Sequence, residues 1–233
     1  MNTIEQKFRH ELKYVVSAAE IPLLKSRISG LMQKDPHAGE DGNYNICSLY
    51  FDDYSNRCYY ENENGTDPRE KFRIRIYNHA PDRITLECKR KERGKTQKTS
   101  CPLTREQAEQ IIRGQAPRLT DTLPPLLKRF IIEMRTRRLR PAVIVEYERI
   151  PYIYKNGNVR VTFDTQISSS SDVTKFFSAN YSKRPIMPVG QHILEVKYDE
   201  YLPDFIYRNL NLGKLQHTAY SKYYLCRKFT LHK

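Results

Sequence analysis

The sequence lacks any long hydrophobic segment and any cysteine spacing typical of a metal site or a disulfide framework. No apolar run approaches the roughly 20 residues that a membrane-spanning helix needs, and the first residues are charged, unlike a secretory signal. The five cysteines, at positions 47, 58, 88, 101 and 226, include no pair with CxxC or CxxH spacing. We therefore expect a protein without membrane insertion, in a reducing cytoplasm.

Acidic residues are also scarce relative to basic ones. The 233 residues include 27 Asp and Glu against 40 Lys and Arg, a formal net charge of +13. This excess predicts an acidic partner, whether nucleic acid, an anionic membrane surface or a small polyphosphate, although a solvated basic surface would give the same count. No nucleic-acid-binding motif is present, so no specific nucleic-acid site is expected. This length fits one large domain as well as two, but a patterned strand over 193–198 follows the loop at 182–190, so one domain over residues 1–233 is expected.

Turn, cap and periodicity signals predict short helices between alternating strands. Helices are expected to begin near Ser17, Thr104, Pro124, Pro203 and Thr218. The Asn156-Gly157 pair predicts a hairpin between strands over 142–154 and 159–167. Loops are expected over 56–69, 168–171 and 182–190. The order of elements predicts an α+β fold with mostly antiparallel strands.

At least four of these strands carry charged side chains at alternate positions. The pairs are Glu11 with Lys13, Arg73 with Arg75, Glu87 with Lys89, and Glu195 with Lys197. A sheet with one solvated face would alternate in the same way, but such a face usually mixes in Ser, Thr and Gln. Because the opposite faces are apolar enough to pack under helices, the charged faces can share one interior. That interior needs a counter-anion, which a chain of phosphates would supply.

The few carboxylates among these cations have two candidate roles. Mg²⁺ or Mn²⁺ prefers one or two carboxylates together with phosphate oxygens. Glu195, and less directly Glu11 or Glu87, are therefore candidate metal ligands. The alternative for Glu11 and Glu87 is an ion pair with a neighbouring lysine.

Six short motifs follow one another along the chain. They are Glu11-Leu12-Lys13, Arg73-Ile74-Arg75, Glu87-Cys88-Lys89, the VRVTFD segment with Arg160, Leu194-Glu195-Val196-Lys197, and Ser221-Lys222-Tyr223. In this order they resemble the VTC domain, the polyphosphate polymerase domain of the triphosphate tunnel metalloenzyme, or CYTH-like, superfamily. The resemblance runs from about Phe8 to Leu225. The wider superfamily opens with ExExK, and VTC domains share the departure seen here, where Arg9 takes the first acidic position.

The resemblance implies an antiparallel eight-stranded β-barrel, the triphosphate tunnel, with flanking helices. It also implies a divalent ion, Mn²⁺ or Mg²⁺, and transfer of the γ-phosphate of ATP onto a growing inorganic polyphosphate chain. The catalytic cations that it assigns are Lys13, Arg73, Arg75, Lys89, Arg160 and Lys222. Ser221 and Lys98 would contact substrate, with Lys95 the alternative to Lys98, and Glu195 would hold the metal. We add Lys91 and Lys197 as substrate contacts because they share strand faces with assigned residues.

Other functions are compatible with the same residues. With water as the acceptor, the site would make a tripolyphosphatase or nucleoside triphosphatase. A non-catalytic protein that binds polyphosphate or nucleic acid would keep the basic lining, but it would have no need of a metal ligand such as Glu195. The expected partners are ATP and inorganic polyphosphate or triphosphate, and the residues indicate neither a membrane-protein partner nor a homodimer.

Overall fold

The computed structural model describes residues 3–39 and 41–231, which form an antiparallel sheet with helices packed around it. The strands are β1 (Ile4–Glu5), β2 (His10–Ser17), β3 (Gln33–Lys34), β4 (Tyr44–Asp52), β5 (Arg69–Tyr77), β6 (Ala80–Glu92), β7 (Lys95–Pro102), β8 (Arg140–Tyr154), β9 (Val159–Ser170), β10 (Arg184–Pro185) and β11 (Gln191–Tyr198). The helices are α1 (Glu20–Ser29), α2 (Arg57–Glu63), α3 (Arg105–Ile112), α4 (Pro125–Thr136), α5 (Asp204–Asn209) and α6 (Lys222–Leu231). Within the described ranges, no helix combines the length and the apolar character needed to cross a membrane.

The sheet curls, and the strands at its two edges, β1 and β2, follow each other directly in the chain. Neighbouring strands follow the order β1-β7-β6-β5-β4-β8-β9-β11-β2, while β3 pairs with β8 and β10 with β9. Between β1 and β2, Arg9 exchanges main-chain hydrogen bonds of 3.0 and 2.9 Å with Thr96 of β7. The predicted antiparallel α+β fold with flanking helices is therefore confirmed. The word barrel describes it loosely, because over the described residues no continuous ladder closes the sheet.

Helices cover the apolar outer faces of the sheet. Phe72, Ile74 and Ile76 of β5 are buried in one core cluster with Phe130 and Ile131 of α4. Helices α1 and α5 pack in a second cluster against β2, β9 and β11. Burying a large apolar side chain contributes about 1.5–3 kcal/mol, so this packing holds the alternate, charged residues of each strand towards the inside of the curl.

One end of the inner face is apolar and is covered by α6. Val143 and Val145 of β8 are buried with Tyr223 of α6 in a third core cluster. By strand alternation they share the face of Tyr147, which lines the cavity inside the sheet together with Lys222. Helix α6 therefore lies over the inner face at this end, and its first residue reaches the charged interior.

Helix α2 lies within residues 56–69, where the sequence predicted a loop, so that prediction is wrong. Its cap comes from the end of β4, since Asp52 Oδ1 accepts a hydrogen bond from the N–H of Cys58 at 2.8 Å and Oδ2 accepts one from Tyr59 at 3.3 Å. A cap supplied by a preceding strand leaves no local Ser-x-x-Glu signal, which explains the omission.

Two other predicted boundaries are wrong. Strand β9 continues to Ser170 through the expected tetraserine loop, because β8 supplies hydrogen-bonding partners as far as Ile144. Helix α6 begins at Lys222 rather than near Thr218. The hydroxyl of Ser221 accepts a hydrogen bond from the N–H of Tyr224 at 3.3 Å, an N-cap that fixes this later start.

Candidate active site

A cavity of about 180 Å³ lies inside the curled sheet. The basic side chains that line it are Lys13, Arg69, Lys71, Arg73, Arg75, Lys89, Lys91, Arg149, Lys197 and Lys222. In the described part of the chain, the carboxylates that line it with these ten residues are those of Glu11 and Glu195. This imbalance suits the cavity to a ligand with several negative charges.

Most of the predicted site residues meet in this cavity. They are Glu11, Lys13, Arg73, Arg75, Lys89, Lys91, Glu195, Lys197, Ser221 and Lys222. The structure places Arg160 and Lys98 in the lining of a second cavity, together with Lys7 and Arg9. There Arg160 Nη2 lies 2.7 Å from the Asp35 carboxylate and 2.6 Å from the hydroxyl oxygen of Tyr44. Arg160 is directly opposite Lys197 of the main cavity in the β9–β11 ladder, so the two cavities adjoin here.

Glu87 forms ion pairs with basic side chains of β5 and β7. Its Oε2 is 2.6 Å from Arg73 and 3.6 Å from Arg75, and its Oε1 is 3.1 Å from Lys98 Nζ. Burial raises the pKa of Glu87, but Arg73, Arg75 and Lys98 outweigh that effect and hold it well below its ordinary value. Lys95 is exposed, so Lys98 is the lysine of this stretch that contacts the residues of the interior.

Hydroxyl groups fix the direction of the two arginines on β5. Arg73 Nη1 donates to the Tyr50 hydroxyl at 2.8 Å. Arg75 Nε donates to Ser48 Oγ at 3.1 Å and Nη2 donates to the Tyr147 hydroxyl at 3.4 Å. A planar guanidinium held in this way presents a preset fork to phosphate oxygens.

Glu195 is the centre of a buried charge network. Its Oε1 is 2.7 Å from Lys222 Nζ, and its Oε2 is 2.9 Å from Lys197 Nζ and 3.2 Å from Arg149 Nη2. Asp164 lies beside it, bonded by both oxygens to Arg149 at 2.6 and 2.7 Å. Burial raises the pKa of Glu195, but Lys197, Lys222 and Arg149 lower it to well below its ordinary value. The carboxylate therefore stays ionised throughout the neutral range.

Glu11 lies between two lysines. Its Oε1 is 2.7 Å from Lys89 Nζ and 3.0 Å from Lys13 Nζ. Burial raises the pKa of Glu11, whereas the two lysines lower it by more, so that the pKa falls well below its ordinary value. In this structure Glu11 thus has the ion-pair role that the sequence left open as the alternative to metal binding.

Glu195 and Asp164 are neighbouring carboxylates whose oxygens could hold a divalent ion. Lys222 Nζ contacts both, at 2.7 and 2.6 Å, so its ammonium group lies where oxygens of the two carboxylates converge. Such hard oxygen donors fit Mg²⁺ or Mn²⁺, provided that phosphate oxygens complete the coordination. Among the described residues, one group of three potential ligands from His, Cys, Asp and Glu occurs, outside the lining of this cavity: Cys47, His79 and Glu146.

Four charged residues of the site were not predicted from the sequence. Arg149 and Asp164 face each other across the β8–β9 ladder, and the register set by the Asn156-Gly157 turn is a signal that would have paired them. Arg69 and Lys71 share a strand face with Arg73. Their place in the alternation was visible in the sequence, but they fall outside the motifs that carried the resemblance.

Comparison with known proteins extends these observations. The family model of the VTC domain matches residues 8–231. A protein of Pyrococcus horikoshii OT3, PH1819, is 13% identical, with 95% of this chain and 99% of that chain covered and a TM-score of 0.51. HpAC1 of Hippeastrum, which has a dominant triphosphatase activity, is 12% identical, with 96% of both chains covered and a TM-score of 0.51. At such identities the likeness to the two structures concerns the fold. No curated protein matches the chain.

Proposed function

Because the chain belongs to the VTC domain family, we propose that it transfers the γ-phosphate of ATP onto a growing inorganic polyphosphate chain inside the cavity. The observation that carries this proposal is the lining, in which ten basic side chains surround two carboxylates. A nucleoside triphosphate and a polyphosphate both present the repeated anionic oxygens that Arg and Lys bind.

In this proposal Arg73, Arg75 and Lys89 hold the phosphates of the nucleotide. Phosphoryl transfer depends mainly on positioning and charge stabilisation. The guanidinium groups of the two arginines, held in fixed directions, supply the positioning. Lys222, which contacts Glu195, and Lys13, which faces Glu195 across the β2–β11 ladder, stabilise the negative charge that develops during transfer. Arg160, opposite Lys197 in the β9–β11 ladder, would extend this grip on the side of the second cavity.

The remaining predicted contacts belong to the rest of the phosphate chain. Lys91, Lys197 and Ser221 line the main cavity, and Lys98 lines the second one. The acceptor is an orthophosphate or the end of a polyphosphate chain. Its oxygen forms a bond to the γ-phosphorus while the bond from that phosphorus to the bridging oxygen breaks, and ADP leaves.

A divalent ion, Mn²⁺ or Mg²⁺, would be held at Glu195 with Asp164 beside it. When bound, such an ion neutralises charge on the phosphoryl group that is transferred. The contribution of the chain is a carboxylate that remains ionised, since Lys197, Lys222 and Arg149 offset the effect of burial on the pKa of Glu195. On substrate binding these cations can exchange the carboxylate for phosphate oxygens.

Transfer of the phosphoryl group to water is a second candidate function. It needs no change in the site, and the triphosphatase activity of HpAC1, a protein of the same fold, favours it. The product separates the two candidates, because a polymerase makes long chains from ATP whereas a tripolyphosphatase or nucleoside triphosphatase releases orthophosphate.

Replacing Glu195 by Gln tests the assignment of the site. We expect Glu195→Gln to lose turnover of ATP with Mn²⁺ by about 100-fold or more while the protein still folds, because the amide keeps the shape but not the charge. Glu106→Gln, on the exposed side of α3, is the matched control and should behave like the wild type. Wild-type turnover in Glu195→Gln would contradict the assignment.

A further inference from the structure

Three basic side chains lie together at the end of the cavity where β5 begins. Arg69 and Lys71 of β5 and Lys91 of β6 all line it. Arg69 is directly opposite Lys91 in the β5–β6 ladder, and Lys71 is opposite Lys89. Like charges in facing positions of a sheet destabilise it. We refer to Arg69, Lys71 and Lys91 as the entry cluster.

The entry cluster differs from the rest of the lining in having no acidic partner. Among the described residues, no carboxylate oxygen lies within 4.0 Å of the basic nitrogens of Arg69, Lys71 or Lys91. Each of the other seven basic residues of the lining has a carboxylate within that distance. Carboxylates therefore offset part of the positive charge around Glu11, Glu87 and Glu195 but none of it at the entry cluster.

Neutral groups hold two members of the entry cluster in place. Arg69 Nη1 donates to the carbonyl oxygen of Thr66 at 2.7 Å. Lys71 Nζ donates to Asn62 Oδ1 at 2.9 Å and to Ser221 Oγ at 3.3 Å. These contacts position the two side chains without supplying a counter-charge to the cluster.

The electrostatics of Lys71 agree with a binding site for an anion. Burial, which Cys58 and Asp52 offset only in part, lowers the pKa of Lys71 to about 7, and Arg69 and Lys13 add their repulsion. An anion among these groups would favour the protonated amine and raise that pKa again.

Helix α6 connects the entry cluster to the region of Glu195. Ser221, which contacts Lys71, caps the helix, and the next residue, Lys222, contacts Glu195 at 2.7 Å. The positive end of the helix dipole also lies here, and it adds to the attraction for phosphate. A chain of several phosphates can therefore contact both regions at once.

We propose that the entry cluster is a separate phosphate subsite, which holds the phosphate group of an inorganic oligophosphate that lies farthest from Glu195. The subsite deepens the proposed function and rests on it for the identity of the ligand. It makes the affinity of the cavity depend on the number of phosphates, because a ligand that spans both regions makes more contacts than one bound near Glu195 alone.

Calorimetric titration of the metal-free protein with inorganic tripolyphosphate and with pyrophosphate tests the subsite. In Lys71→Met we expect the affinity for tripolyphosphate to fall about tenfold or more, as for the loss of one charge-assisted hydrogen bond, and that for pyrophosphate to fall less than about threefold. The matched control is Lys95→Met, which removes an exposed lysine of β7 and should change either affinity by less than about threefold.

Lys91→Met provides a second variant, since this side chain makes no ion pair or hydrogen bond within the described residues and its loss leaves the fold intact. It should show the same selective loss for tripolyphosphate. An unchanged tripolyphosphate affinity in both variants, an equal loss for both ligands, or a wild type that does not bind tripolyphosphate would overturn the subsite. Turnover of ATP is measured separately from binding. The polymerase activity can therefore be absent while the subsite is confirmed, and the subsite can be disproved while the polymerase activity is present.

Discussion

At the scale of single residues, Lys71 combines partial burial with like-charged neighbours. Its pKa in the folded protein is about 7, against an ordinary value of 10.5. Between these values the unfolded chain binds more protons than the folded one, so the contribution of Lys71 to stability rises with pH across that window. Below about pH 7 the unfavourable contribution is present in full.

Lys71→Met should therefore stabilise the protein in the absence of ligand. After discounting for partial exposure we expect a gain of about 1 kcal/mol near pH 6, or about 2–4 °C in the unfolding temperature. The gain should be smaller near pH 10, because the folded protein no longer carries this charge and the unfolded lysine is close to its own pKa of 10.5. Thermal unfolding at the two pH values measures it. A variant less stable than the wild type at both would show that Lys71 has a structural role instead.

Residue positions along a strand were predictable, but their partners were not. The alternation in β5 placed Arg73 and Arg75 on one face because the two-residue period depends only on the local backbone. The contacts of Arg160 with Asp35 and Tyr44 depend on how distant segments meet around the sheet. Spacing within one segment contains no information on how distant segments meet, so the ion pair of Arg160 with Asp35 was not predicted.

At the scale of elements, α6 is the helix that contributes most to the site. It covers the apolar end of the inner face through Tyr223, and its N-cap Ser221 contacts Lys71. Its boundary therefore decides where Lys222 meets Glu195. A helix that began four residues earlier would present other side chains to the cavity.

Ser221→Ala should lower the free energy of unfolding by about 1 kcal/mol, because the N–H of Tyr224 loses its acceptor. Ser221→Thr keeps a capping oxygen and should recover most of that stability. Urea unfolding measures both variants, with Ser26→Ala on the exposed side of α1 as the control. Equal stability of Ser221→Ala and the wild type would mean that the cap does not set the start of α6.

Elements with local signals were predicted better than those with distant ones. Helix α3 has the capping box that its sequence indicates, with reciprocal bonds between Thr104 and Gln107. Helix α2 is capped by Asp52, which belongs to the end of β4 rather than to the residues next to the helix. The end of β9 is set by its pairing with β8. A propensity for loop in Asn- and Ser-rich segments was in both cases overridden by tertiary contacts.

At the scale of the whole molecule, the fold class followed from the order of patterned strands and capped helices. How the two edges of the curled sheet meet could not be predicted from the same patterns. It depends on the main-chain bonds between Arg9 and Thr96, which bring the two ends of the sheet together. Main-chain pairing between distant segments has little effect on the side-chain pattern. The prediction from the sequence was therefore of a more regular barrel than the structure shows.

The net charge of +13 predicts salt-dependent binding of nucleic acid in addition to phosphate binding in the cavity. We expect inorganic tripolyphosphate to release a labelled polyphosphate from the protein at a phosphate concentration about tenfold lower than that of a DNA oligonucleotide. The reason is that duplex DNA meets only the outer surface, whereas tripolyphosphate enters the lining of ten basic residues. Competition titrations at one fixed salt concentration measure the ratio. Equal competition by both would favour a nucleic-acid-binding surface.

The most direct test of the polymerase activity is incubation of the pure protein with ATP and Mn²⁺, with the product sized on a gel. The ten basic residues of the lining and the ionised Glu195 predict a ladder of long polyphosphate, together with ADP, that is absent in Glu195→Gln. A product that consists of orthophosphate and ADP alone would contradict polymerisation and assign the same cavity to hydrolysis.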